Sequence, residues 1–447
     1  MSAERADALW CELAWLGDDR AEAGVLIELD GERIADVSVG GVEPPPHARE
    51  LPGLTIPGMA NAHSHAFQRA MRGRTQAERG DFWTWRRRMY EIAEAIEPAT
   101  CFALARATFG EMALAGITAV GEFHYLHHGP GGTRYDDPNA MGRAVIEAAR
   151  EAGIRITLLD ACYLHGGIGQ EAEGVQLRFS DGTADAWGER VNGLEETPMA
   201  RVGAAIHSVR AVDPEAAARV AALSAEKSWP LHAHVSEQRA ENDDCDSAYG
   251  LTPTGLLAGA GALTERFTAV HATHLMDADF SLLGAAESGA CLCPTTERDL
   301  ADGIAPARRL AEANARLSLG TDSHALIDMF EEARAVELDE RLESGERGGH
   351  GAAALLGAAT AGAAAGIGWP EAGGIEPGRL ADLVTVGLDG VRLAGIAPDH
   401  ALESVVFAAT AADVRDVIVG GRFVVRDGVH LDFDVAAELG AAIAVLP

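Results

Sequence analysis

Between residues 54 and 324 the chain alternates short apolar runs with helix-length amphipathic stretches, and eight of the apolar runs end in ionisable residues. The runs fall at 54–59, 117–123, 154–161, 201–206, 230–235, 267–272, 290–294 and 316–320. Short runs rich in Ile, Val, Leu and Ala are what strands buried on both faces require. Segments 99–116, 139–153 and 214–227 read as helices between them; the second carries Ala140, Met141, Ala144, Val145 and Ala148 on one stripe, and the third has Pro214 in its first turn. Eight strands with intervening helices predict a closed (β/α)8 barrel of the TIM type. The alternative is a doubly wound sheet, but no GxGxxG follows the first strand.

The residues that end the runs carry chemistry. In chain order they read His63-Ser-His65, Glu122-Phe-His124-Tyr125, Tyr163-Leu-His165, His207-Ser-Val-Arg210, His232-Ala-His234-Val-Ser-Glu237, His271-Ala-Thr-His274, Thr295-Thr-Glu297 and Asp322-Ser-His324. These positions lie at the C-terminal ends of the strands, the face on which barrel enzymes assemble active sites. His63 and His65 are one residue apart, so in an extended strand they project to the same side and can reach one metal ion.

The flanks have a different texture. Residues 22–57 read as short strands with a hairpin around Asp30-Gly31, and 378–390 with the Gly-punctuated segment 414–430 read likewise. We therefore expect three parts: 1–56 as the N-terminal half of a small β-sandwich domain, 57–370 as the barrel, and 371–447 as the other half of that domain. With 447 residues, 47% of them hydrophobic, the chain can bury a core of that size. No apolar run reaches membrane-span length and the N-terminus lacks the pattern of a signal peptide, so a cytoplasmic location is expected. A formal charge of −32 argues against nucleic acid or an anionic membrane as partner. Six scattered cysteines without a CxxC suggest buried, reduced thiols. Lys227 is the only lysine.

The segments PGMANAHSH, HAHVSEQ, VHATH and GTDSH, in this order, resemble the metal and catalytic motifs of the amidohydrolase superfamily. HAFQRAM (65–71), FWTWRRRMY (82–90), GEFHYLHH (121–128) and AIHSVRAV (205–212) resemble its formimidoylglutamate deiminase branch, so the likeness runs from about 57 to 324. The resemblance implies one divalent metal per chain, zinc by preference, held by His63, His65, His234 and Asp322, and a homodimer. His232 shares the spacing of His234 and the same strand face, so the choice between them rests on the resemblance alone. A second metal bridged by a carboxylated lysine is excluded in this reading, because Lys227 precedes the fifth strand rather than ending the fourth.

The implied reaction is hydrolysis of N-formimino-L-glutamate to N-formyl-L-glutamate and ammonia, a step of histidine degradation. Glu237, three residues after His234, is placed to move a proton between water and the departing nitrogen. His271 and Asp322 would assist, as holders of the water or as base. Gln68, Arg86, Tyr125, His207 and Arg210 form the expected substrate patch, in which two guanidinium groups suit a small dianion. The acidic segment TQAERGD (75–81) leaves Arg87 or Arg88 as substitutes for Arg86. A deaminase of a cyclic amidine such as guanine, or a hydrolase of another small formimino or N-acyl acid, stands as the alternative.

Overall fold

The computed structural model describes residues 5–41, 43–76 and 82–447; most of segment 75–81 and residues 1–4 and 42 of the expected β-domain lie outside the described residues. Eight parallel strands form one sheet in chain order: β1 (Met59–Ser64), β2 (Ile117–His124), β3 (Arg155–Cys162), β4 (Ala200–Ile206), β5 (Leu231–Val235), β6 (Phe267–His271), β7 (Gly289–Leu292) and β8 (Arg316–Leu319). Strands β2, β3 and β5 are buried along their whole length, which is why they read as continuous apolar runs. Helices Pro98–Leu114, Ala140–Ala152 and Pro214–Lys227 occupy the segments expected to be helical; Asp213 caps the last by accepting from the Glu215 and Ala216 amides.

The sheet closes between β1 and β8 beyond the last residue of β8. Ser64 and Asp322 form a parallel bridge, with Asp322 N donating to His63 O (3.0 Å) and His65 N to Asp322 O (3.1 Å). The approach is close because Gly320 has no side chain. A Cβ there would stand 2.7 Å from His63 Cβ and 2.9 Å from its backbone N and O.

The expected first strand, 54–59, is two strands in two sheets. Arg49–Pro57 belongs to the flanking sheet and β1 begins at Met59. Gly58 makes the passage: a Cβ would overlap Thr118 Oγ1 at 2.2 Å, and its amide donates to Asp382 O (2.8 Å). The apolar pattern runs through this joint without a break, so periodicity alone places the start of the barrel too early.

The flanking sheet combines both ends of the chain. Its order is Arg33–Ser38, Ala21–Asp30, Ala8–Trp15, Arg49–Pro57, Leu383–Val386, Val414–Val419, Arg422–Arg426 and Val429–His430, and the halves join where Arg49–Pro57 pairs antiparallel with Leu383–Val386. The expected hairpin turns at Asp30-Gly31, with Gly31 at φ 63°. The sheet curls so that its two hairpin turns meet: Ala381 N donates to Glu32 O (2.8 Å) and Gly421 N to Ala381 O (3.0 Å). Leu9, Val25, Ile27, Leu51, Leu383, Ile418 and Phe423 fill the core inside it. A buried ion pair fixes it to the barrel, Arg155 Nε to Asp382 Oδ2 at 2.7 Å. All six cysteines are free and buried, and among the described residues no helix is long and apolar enough to cross a membrane.

Gly320→Ala forces a methyl group into the β1–β8 seam. We expect it to destabilise the fold by about 1–3 kcal/mol in urea unfolding. Gly259→Ala, in a helix with nothing within 4 Å of the new Cβ, should be neutral or stabilising by up to ~1 kcal/mol.

Candidate active site

His63 lies near the end of β1 and His65 just after it, His234 lies in β5 and Asp322 follows β8; their side chains converge at the C-terminal mouth of the barrel. His63 Nε2 is 3.2 Å and His65 Nε2 3.4 Å from Asp322 Oδ1, and His63 Nε2 is 3.1 Å from His234 Nε2. Ligands ~2.0–2.1 Å from a tetrahedral zinc stand about 3.3 Å from one another, so these separations are those of a metal's coordination shell. Two of the rings are aimed by backbone carbonyls: His65 Nδ1 bonds Phe123 O and His234 Nδ1 bonds His207 O, both at 2.8 Å, leaving each Nε2 toward the cluster. Burial holds His63 and His234 well below the usual imidazole range, helped by neighbouring rings, and brings His65 down to about 3. Neutral imidazole is the form that binds a metal.

His232 lies elsewhere. Its Nε2 bonds Gly366 O (3.0 Å) inside the barrel, one layer below the cluster, so the structure brings His234 and not His232 to His63. Lys227 is exposed at the end of its helix, before β5, on the opposite face of the barrel from the cluster.

Around the cluster stand His271 and Glu237. His271 Nε2 is 3.9 Å from Glu237 Oε1 and 4.0 Å from Asp322 Oδ2, and its Nδ1 is 3.4 Å from Glu297 Oε1. Burial opposes charge on His271, but the hydrogen bond to Glu297 and the carboxylates of Glu237 and Asp322 outweigh it and lift the ring to about 10. Burial also lifts Asp322, to about 7, although the His271 charge pulls the other way. Glu237 is buried yet held below the usual carboxylate range by Arg210 and His271; Arg210 Nη2 donates to its Oε2 at 2.8 Å. Two of these positions have left-handed backbone, His271 at φ 68° and Asp322 at φ 42°. Such conformations cost on the order of 1 kcal/mol or more in a non-glycine residue and persist where surrounding bonds enforce them. Here Ala272 N to Val235 O (3.1 Å) and the two seam bonds of Asp322 do so.

A cavity of about 450 Å³ opens above the cluster, and Gln68, Arg86, Tyr125, His207 and Arg210 all line it. Arg86 faces it from the helix Phe82–Ala95, with Nε donating to Tyr90 Oη (2.6 Å). Arg87 and Arg88 are exposed; Arg88 pairs with Glu91, and Arg87 borders a separate surface depression. Of the three candidate arginines, Arg86 is therefore the one at the cavity. Gln68 Nε2 donates to Tyr125 Oη (2.9 Å), and His207 packs edge-on against Tyr125 and Tyr163. Arg210, expected to serve substrate alone, is also bound to Glu237.

Several supporting groups were not assigned a task by the sequence. Glu297 backs His271, and Glu241 accepts from the Ser236 (3.2 Å) and Glu237 (3.4 Å) amides. Asn61, Thr321, His324, Ser64 and Glu122 form one buried series of hydrogen bonds of 2.7, 2.9, 3.1 and 2.5 Å, and Glu122 Oε1 also accepts from Ala66 N (2.7 Å). Burial lifts Glu122 to about 8 against the pull of those donors. Glu122, Glu297 and His324 stood in the strand-end pattern as polar residues, but nothing in the pattern separates a group at the cavity from one behind it. Trp85 and Tyr90, on the helix Phe82–Ala95, and Phe179, just after the turn Gly174–Arg178, complete the aromatic wall from segments with no strand-end signal.

A parallel barrel with an imidazole and carboxylate cluster at its mouth, backed by a sheet from both chain ends, defines a class of metal-dependent hydrolases. The chain belongs to the amidohydrolase family, whose defining sequence pattern matches residues 54–424. It is 37% identical to the formimidoylglutamate deiminase of Pseudomonas aeruginosa over 96% of both chains. It is 30% identical to the 8-oxoguanine deaminase of the same organism, over 93% of this chain and 92% of that one. Among solved structures, an amidohydrolase from Brucella melitensis superposes with a TM-score of 0.91 at 33% identity, covering 98% of this chain and 99% of its own.

Elemental analysis of purified variants checks the cluster. His234→Ala should lose the divalent metal, whereas His232→Asn should retain about one per chain.

Proposed function

We propose that this enzyme, a hydrolase acting on C–N bonds outside peptides, converts N-formimino-L-glutamate and water to N-formyl-L-glutamate and ammonia. The observation that carries the reading is the 37% identity over 96% of both chains to a formimidoylglutamate deiminase. Two arginines, Arg86 and Arg210, on the wall of a cavity above the cluster support it. The finer parts of the reading are zinc as the metal, a homodimer as the assembly, the cytoplasm as the location and histidine degradation as the pathway. In it the expected three-part division, 1–56, 57–370 and 371–447, serves as a barrel carrying the site between two halves of a supporting domain.

His63, His65, His234 and Asp322 hold the metal, which when bound acts as a Lewis acid that lowers the pKa of a water from ~15.7 toward neutrality. Glu237 is kept ionised by Arg210 and His271, so it can accept a proton from the attacking water. As the water oxygen bonds to the formimino carbon, the terminal nitrogen takes that proton from Glu237. Asp322 accepts the other hydrogen of the attacking water and that hydrogen too passes to the nitrogen as the C–N bond breaks, so a C=O bond replaces the C=N bond and the nitrogen leaves as ammonia with both hydrogens of the water. His271, fixed by Glu297 with its Nε2 toward Glu237 and Asp322, donates toward the oxygen on which negative charge develops. Arg86 grips one substrate carboxylate from the helix Phe82–Ala95. Arg210 meets the other while its Nη2 holds Glu237, which couples binding to proton transfer.

A second reading has one observation in its favour. Trp85, Tyr90, Tyr125, Tyr163 and Phe179 give the cavity aromatic walls that suit a planar cyclic amidine, as in an 8-oxoguanine deaminase. A neutral ring offers the two guanidinium groups no carboxylate, whereas the dianion offers two.

Ammonia release from a panel of N-formimino-L-glutamate, N-formimino-L-aspartate, N-formiminoglycine, guanine and 8-oxoguanine tests the assignment; turnover of a purine in preference to the formimino acids would overturn it. Glu237→Gln should keep its metal and lose ~10²-fold or more in kcat. Arg86→Met should lower kcat/KM for the dianion by about 10- to 150-fold, mostly through KM. Arg210→Met should lower kcat as well, because it releases Glu237.

A further inference from the structure

Three of the loops that build the cavity wall meet on one buried side chain that touches neither the cluster nor the cavity. Arg178 is fully buried at the end of a short turn, Gly174–Arg178, in the loop after β3. Its guanidinium forks across backbone carbonyls: Nε donates to His128 O (2.8 Å), Nη2 to Ile96 O (2.5 Å) and Nη1 to Ala93 O. Ala93 lies in the last turn of the helix Phe82–Ala95, whose final carbonyls have no partner within the helix. A cation there also meets the negative end of the helix dipole. In return Arg178 O accepts from the His127 (3.0 Å) and His128 (2.9 Å) amides, in the loop after β2 that begins with Tyr125.

The same turn holds the helix a second time. Gln176 Nε2 donates to Tyr90 Oη (3.0 Å), the hydroxyl that also accepts from Arg86 Nε. Phe179, next in sequence, lines the cavity with its ring edge-on to Tyr125 and Tyr163. Thus Arg86 is aimed by Tyr90, Tyr90 is held by Gln176, and the helix that carries both is fastened at its end by Arg178.

We infer that Arg178, assisted by Gln176, is a positioning residue for substrate selection: it fixes the helix Phe82–Ala95 so that Arg86 stands at the distance from the metal cluster that one length of dicarboxylate requires. The inference rests on the proposed role of Arg86 in gripping a substrate carboxylate. A buried guanidinium is suited to the task because one planar fork can serve three carbonyls at once, which a lysine ammonium cannot do in the same geometry. Losing it removes a charged donor from three carbonyls at the end of a helix that must stay in place, and leaves Ala93 O with only the Ile96 amide at 3.4 Å.

The experiment compares the full-length metal-loaded wild type with Arg178→Gln, Arg178→Lys and Gln176→Leu. With N-formimino-L-glutamate as probe, Arg178→Gln should raise KM about tenfold or more with kcat changed by less than about threefold, and metal content should be unaltered. Arg178→Lys should recover part of the loss. Amide hydrogen exchange over residues 84–96 should quicken in the same order. In the Arg86→Met background, Arg178→Gln should add little, since both remove one interaction. Gln176→Leu carries the same comparison if Arg178→Gln does not fold. Unchanged exchange over 84–96, or losses from Arg178→Gln and Arg86→Met that add in full, would overturn the inference. A wild type that releases no ammonia from N-formimino-L-glutamate would instead overturn the functional reading, and the exchange comparison would still decide the role of Arg178.

Discussion

The closure of the barrel between β1 and β8 is the constraint on which the site depends. A parallel sheet of this kind has no partner for its first and last strands until they find each other. Here they do so beyond the end of β8, through the Ser64–Asp322 bridge, so the bonds that shut the barrel belong to the residues that would hold the metal. Beside the bridge runs the buried polar series from Asn61 through Thr321, His324 and Ser64 to Glu122, which ties β1 to β8 on one side and to β2 on the other. Buried hydrogen bonds of this kind are worth most where every member is satisfied. The left-handed backbone of Asp322 is the local strain that this seam sustains.

Much of this architecture can be read from the chain because parallel strands impose a simple pattern. A strand buried on both faces has to be apolar, and its C-terminal end is the one place where a polar side chain reaches the cavity. Hence the eight runs and their ionisable ends stand out. The register at the HxH of β5 is not legible in this way, since His232 and His234 share a face and differ only in depth. Depth is decided by what lies opposite each ring, Gly366 for His232 and the β1–β8 seam for His234. Nor does the pattern reveal the joint at Gly58, because two sheets in contact need apolar residues on both sides of it. Arg178 is the least legible of all: one arginine among many, with a role set entirely by three carbonyls from distant segments.

Electrostatics separates the two sides of the reaction chamber. One side gathers Glu237, Glu297 and Asp322 around His271, and the other gathers Arg86, Arg210 and tyrosine hydroxyls. Arg210 is the contact between them. Its charge is what lets Glu237 remain ionised in a buried setting, where desolvation alone would push a carboxyl toward the neutral form. A dianionic substrate that ends in a basic amidine matches this division, with its negative end toward the arginines and its nitrogen end toward the carboxylates.

The position of Lys227 has a practical consequence. Every other basic side chain that is charged at all pH values of interest is an arginine, and the one lysine is exposed at the barrel end opposite the cavity. Reagents that acylate lysine therefore find a single side-chain target among these residues, far from the reacting groups. A tether attached through that side chain would leave the open mouth of the barrel turned toward solution.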